Sequence, residues 1–214
     1  MNKASTLERR GAPRRLPNKK IVIVCEGKLT EPRYFQDFLT LQNSTLVSVK
    51  TIGGCGVPVS VVERAVSERE ALLAAARRTR DSFDAAFEVW AVFDRDAHPE
   101  TQVPDAFALA AENDIKVAYS NPCFEVWGLM HFALWAKPGH HHETQRDLKE
   151  RLDGYCHTNN PLMNVVLLER KYPDAVRNAQ MASTRREEEG SSIYGDPSTS
   201  VYLLTERIRM NGKD

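Results

Sequence analysis

Apolar positions fall into short blocks separated by polar turns. The run IVIVC at 21–25 is β-branched and too short for a helix, and it ends at Glu26-Gly27, which predicts a strand buried on both faces. Thr30 then offers an N-cap, with Glu31 and Pro32 in a first turn that tolerates an acid and a proline. Tyr34, Phe35, Phe38, Leu39 and Leu41 follow at helical spacing. TLVSVKT at 45–51 predicts a second strand, broken by Gly53, Gly54 and Gly56. A helix opens at Pro58, with Val62, Ala65, Val66, Leu72, Leu73 and Ala76 among its apolar positions. FEVWAVF at 87–93 predicts a third strand, ending in Asp94-Arg95-Asp96. A helix over 104–113, a fourth strand over 115–119, a Ser120-Asn121-Pro122 cap and an apolar helix over 123–135 complete this part.

Strands alternating with crossovers longer than a dozen residues call for an α/β fold, a mostly parallel four-stranded sheet flanked by helices. After Pro138-Gly139 the pattern changes to helices over 143–152, 162–181 and 198–210, with a charged loop at 185–192 and no strand. The expected organisation is an arm over 1–19, an α/β domain over 20–136, and a helical extension over 137–214 packed on it.

Composition changes this picture little. With 42% hydrophobic and 27% charged residues, the chain has globular composition. It has no apolar run near the length of a membrane span and no signal-like stretch, so a soluble cytoplasmic protein is expected. Cys25, Cys55, Cys123 and Cys156 form no CxxC pair and read as reduced thiols. Charge is more informative. Lys and Arg balance Asp and Glu at 29 each, yet residues 1–20 hold seven basic residues against Glu8, a local +6 on a body of −6. Arg14, Arg15, Lys19 and Lys20 belong to that arm, which would neutralise nucleic-acid phosphates or simply remain solvated.

In an open parallel sheet, ligands bind outside the carboxyl ends of the strands. Glu26 follows the first strand; Asp94 and Asp96 follow the third. Hard oxygen donors gathered there without His or Cys suit Mg2+ or Mn2+ bound to substrate phosphates, with a free carboxylate as base.

The stretches IVIVCEGKLTEPRYFQDFL, VWAVFDRD and SNPCFEVWGLMHF, in that order, resemble the RloB-like family of TOPRIM-domain proteins. GDPSTSVYLLTERI also resembles that family's C-terminal helix start, with Asp196 replacing the usual Asn. The resemblance implies a TOPRIM-like fold, with Glu26 as acid/base or metal ligand and Asp94 and Asp96 as metal ligands. It also implies a nuclease in prokaryotic defence against phage, through association with restriction-linked and abortive-infection loci.

Glu125 stands in the first turn of the helix after the fourth strand, where it either completes a metal site or complements the helix dipole. Ser120 and Asn121 either offer groups to a phosphate or simply cap that helix. His131 reads as a core histidine, and His140, His141 and His142 as an exposed loop in which adjacent residues do not readily face one ion. Trp90, Trp127 and Trp135 read as core, and Gly53-Gly54-Cys55-Gly56 is no P-loop. Two functions remain open. One is a Mg2+-dependent endonuclease on DNA or RNA, with a separate ATPase as a possible trigger; the other is a non-catalytic partner subunit.

Overall fold

The computed structural model describes residues 20–43, 47–51, 56–79, 84–96, 98–99 and 101–210. The arm over 1–19 and residues 53–55 of the glycine-rich segment lie outside these. Strand β1 (Lys20–Cys25) runs parallel to both β2 (Val47–Thr51) and β3 (Phe87–Asp94), and β4 (Lys116–Asn121) runs parallel to β3. A two-residue β5 (Ser198–Thr199) joins β4 antiparallel, with Ser120 opposite Thr199 and Asn121 opposite Ser198. The order is β2-β1-β3-β4-β5. The sheet is therefore mixed, four parallel strands with a short antiparallel edge, and the expectation of no strand in the tail is corrected. Two residues carry no alternation pattern for a sequence reading to find.

The alternation of β1 divides the core. Ile21, Ile23 and Cys25 pack with Tyr34, Phe35 and Phe38 of α1 (Thr30–Leu41). Val22 and Val24 pack on the other face with Val61, Val62 and Ala65 of α2 (Pro58–Thr79) and with Val103, Ala106 and Ala110 of α3 (Gln102–Glu112). Both faces are covered, which is why the strand reads as a continuous apolar run. The first face extends through α4 (Glu125–Met130), α5 (His141–Lys149), α6 (Val165–Glu169), α7 (Tyr172–Glu188) and α8 (Val201–Met210). Leu148, Leu168, Tyr172, Ala175, Ala179, Val201, Leu204 and Ile208 join the cluster around Ile21.

Several boundaries differ from expectation. The helix over 123–135 is only the six residues of α4, every one buried. Its apolar composition reflects burial all round rather than length. Gly128 brings it close to α5 and the 160s loop, since a Cβ there would stand 2.9 Å from Leu148 Cδ2 and Met163 Sδ. The helix over 162–181 is two, α6 and α7, with Pro173 in the first turn of the second. Residues 185–188 of the expected charged loop continue α7, supported by an Arg185–Glu189 pair at 2.9 Å. Thr30 is the first residue of α1 rather than its cap, and Leu29 makes no side-chain cap. No helix among the described residues is long and apolar enough to cross a membrane.

Candidate functional site

Parallel register brings the first two acids together. Cys25 is level with Val92, and the Glu26 N–H donates to the Val92 carbonyl at 2.9 Å. The Asp94 N–H then donates to Glu26 Oε2 at 3.1 Å. The other Glu26 oxygen, Oε1, meets His98 Nε2 at 2.5 Å. Burial pushes the Glu26 carboxyl up, and the Asp94 N–H and His98 offset only part of that.

Asp94 lies at the centre of an acid cluster. Its Oδ2 accepts from the Phe124 N–H at 2.9 Å, just before α4. Its Oδ1 is buried with no hydrogen-bond partner. Burial raises its pKa well above the ordinary carboxylate range, and the neighbouring Glu31, Glu26 and Glu125 charges add to the rise. Glu31 points inward from the first turn of α1. Burial pushes it up to about 7, with repulsion from Glu125 and Glu26 opposed by backbone N–H groups, including that of Gly27. The Glu31 carboxylate occupies the space where a Cβ on residue 27 would lie. Gly27 is thus required for close approach.

Glu125 is buried at the start of α4 and accepts from Tyr155 Oη at 2.5 Å and from His157 Nδ1 at 3.2 Å. Burial alone would raise its pKa, but the hydrogen bonds from His157, Tyr155 and Cys123 outweigh it and leave it lowered. His157 is raised by the same contact.

The remaining candidates lie apart from this cluster or in other roles. Asp96, at φ +36°, turns its Oδ1 to His141 Nδ1 at 2.7 Å, though its charge still reaches Glu26. Among the described residues, the group of three or more metal-type donors within 4.8 Å of one another is His140, His141 and His142, and no three of Glu26, Glu31, Asp94, Asp96 and Glu125 stand that close. Ser120 is fully buried against the Thr199 hydroxyl at 3.1 Å, and the Asn121 amide donates to the Tyr194 carbonyl at 2.9 Å. Both are the last residues of β4, held by the tail rather than capping α4. Arg14, Arg15 and Lys19 lie outside the described residues; Lys20 opens β1, exposed. His131 is buried, with Nδ1 at 2.9 Å from the Trp127 carbonyl, and Trp90, Trp127 and Trp135 belong to the core.

Sequence reasoning missed Glu31, His98, Tyr155 and His157. A signal for Glu31 existed: positions 31, 34, 35 and 38 form one helical stripe, so an acid in that stripe faces inward with Tyr34, Phe35 and Phe38. No spacing rule links Tyr155 or His157 to Glu125, 30 and 32 residues away.

Glu31, Asp94, Asp96, Glu125, His141, His142 and His157 line a cleft of about 430 Å3, open at the carboxyl ends of β1, β3 and β4. The orphaned Asp94 Oδ1, among carboxyl groups of which three are raised by burial and mutual repulsion, fits a hard divalent cation. Fold and site together define an α/β protein with an acidic cleft at its strand ends. The family model of RloB-like protein matches residues 21–208, and the chain belongs to that family. No curated protein and no solved structure matches it.

Proposed function

We propose that the chain is a nuclease of the TOPRIM type, hydrolysing phosphodiester bonds in DNA or RNA with Mg2+ or Mn2+, in prokaryotic defence against phage. The observation that carries this reading is Asp94: a buried carboxylate at a strand end, one oxygen unpartnered, crowded by three other acids. Stability alone gives no reason to gather these charges, since each buried carboxylate without a cation is costly.

Asp94, Glu31 and Glu125 would hold the ion, and Asp96 would lend its second oxygen. When bound, the cation neutralises charge developing on the phosphoryl oxygens. Glu26 and His98 would form the proton-handling pair, taking a proton from the attacking water or giving one to the leaving oxygen. Tyr155 and His157 both hold Glu125 Oε1, which fixes the direction of the carboxylate. The basic arm would add phosphate contacts without sequence preference.

One observation favours a second reading, a subunit silent until a partner such as an ATPase acts. Asp96 is tied to His141 and both Glu26 oxygens are engaged, so the acids are not gathered around one point. Incubation of the purified chain with plasmid DNA, tRNA and total RNA, with and without Mg2+ or Mn2+, tests the two. Metal-dependent cleavage that Asp94→Asn abolishes supports the nuclease. No cleavage of any of the three, despite saturable metal binding, supports the silent subunit.

A further inference from the structure

Three adjacent histidines in an irregular loop would splay apart, but these do not. His140 keeps an extended backbone (φ −71°, ψ 151°) as the N-cap of α5, while His141 and His142 are already in its first turn. The change of direction folds the His140 ring back over the helix start. Its Nδ1 accepts from the His142 N–H at 3.4 Å, and the three ring centroids lie 3.9, 4.1 and 5.0 Å apart. One ring nitrogen from each then lies within 4.8 Å of the others.

The pairing with Asp96 supplies an independent feature. Asp96 Oδ1 faces His141 Nδ1 at 2.7 Å, so Nδ1 carries the proton and the Nε2 lone pair is free. A carboxylate behind one ring nitrogen, fixing the tautomer and orienting the other, is the usual second partner of a metal-bound histidine. His140 and His142 are exposed, so solvent leaves room for their rings to adjust. At a Zn–N length of roughly 2.0–2.1 Å, two ligands stand at most about 4.2 Å apart. Three nitrogens round one tetrahedral ion stand about 3.4 Å apart, so the ring nitrogens need to close by no more than about 1.4 Å. Imidazole selects Zn2+, Ni2+ or Cu2+ over Mg2+, so such a site would not compete for the ion suited to the carboxylates.

We propose that His140, His141 and His142 bind one divalent transition ion of the Zn2+ class at the rim of the acidic cleft, with Asp96 orienting His141. Three protein nitrogens leave a fourth position for water. His141 and His142 line the cleft, so that position borders it. An ion there ties the first turn of α5, through Asp96, to the loop leaving β3. This inference does not depend on the nuclease reading.

The test is calorimetric titration of the full-length, untagged chain with Zn2+ in a non-chelating buffer, beside electron paramagnetic resonance of the Cu2+-loaded protein. The expected result is one Zn2+ per chain, affinity falling at least 100-fold in His140→Ala/His142→Ala, and a Cu2+ spectrum split by three nitrogens. Asp94→Asn should keep the Zn2+ site, which separates this result from failure of the carboxylate site. Absence of saturable Zn2+ binding, binding that survives the double substitution, binding lost in Asp94→Asn, or coupling to fewer than three nitrogens would each overturn the proposal.

Discussion

Glu26 and Asp94 are 68 positions apart in the chain, yet the Asp94 N–H donates to the Glu26 carboxylate at 3.1 Å. Two adjacent parallel strands ending at one level place them there, and the loops that follow bring Glu31 and Glu125 near enough to repel Asp94.

Asp94→Asn removes a charge from the centre of the cluster while keeping nearly the same shape. Without divalent ions the variant should melt higher than the parent, by about 2–4 °C for each kcal/mol of relieved repulsion and desolvation. The rise in melting temperature that Mg2+ gives the parent should disappear. Calorimetric melting in EDTA and in Mg2+ measures both, and a variant that melts lower in EDTA would contradict the account.

Glu31 supplies a pH signature. Burial pushes its carboxyl up to about 7 in the fold, against about 4.3 in an unfolded chain. The folded state therefore holds an extra proton between those values, and stability falls as pH rises from about 4 to about 7. The melting temperature of the parent relative to Glu31→Gln should fall across that window in EDTA and flatten in Mg2+. The change should exceed about 1 kcal/mol, since one pKa unit is worth about 1.4 kcal/mol. A difference that does not vary with pH would show that Glu31 titrates as an ordinary acid.

Gly27→Ala should separate site from fold. The new Cβ would collide with the Glu31 carboxylate, the far end of a side chain rather than backbone. Stability should change by no more than about 1 kcal/mol, within the range of ordinary substitutions, whereas metal affinity and any metal-dependent cleavage should fall at least tenfold. Mg2+ titration of the folded variant measures this.

His131→Ala acts through packing. The ring is buried edge-on to Trp127, centroids 4.7 Å apart, and burial holds its pKa down to about 4. The variant should lose roughly 1–3 kcal/mol of stability, with Mg2+ affinity unchanged. Denaturant unfolding beside metal titration checks it, and lost Mg2+ affinity in a folded variant would give His131 a part in the site.

The sheet and three acids of the candidate site, Glu26, Asp94 and Glu125, were legible because short-range pattern decides them. IVIVC and FEVWAVF announce strands, and Glu26 and Asp94 stand where strands end. Glu31 was hidden because an acid in a first helical turn has a sufficient local reason, the helix dipole, that masks the inward-facing one. The two-residue spacing suggests Asp96 as a partner of Asp94, but its positive φ turns it toward α5. The partners of Glu125 and the docking of β5 depend on how the chain after Pro138 folds back over the sheet, and no local pattern encodes that.

The most direct measurement is anomalous diffraction from crystals of the full chain soaked in Mn2+. The account predicts a Mn2+ peak bonded to the Asp94 oxygen that now lacks a partner, with Glu31 or Glu125 among its other ligands. A Mn2+ peak only at His140–His142, or none at all in the acidic cleft, would contradict it.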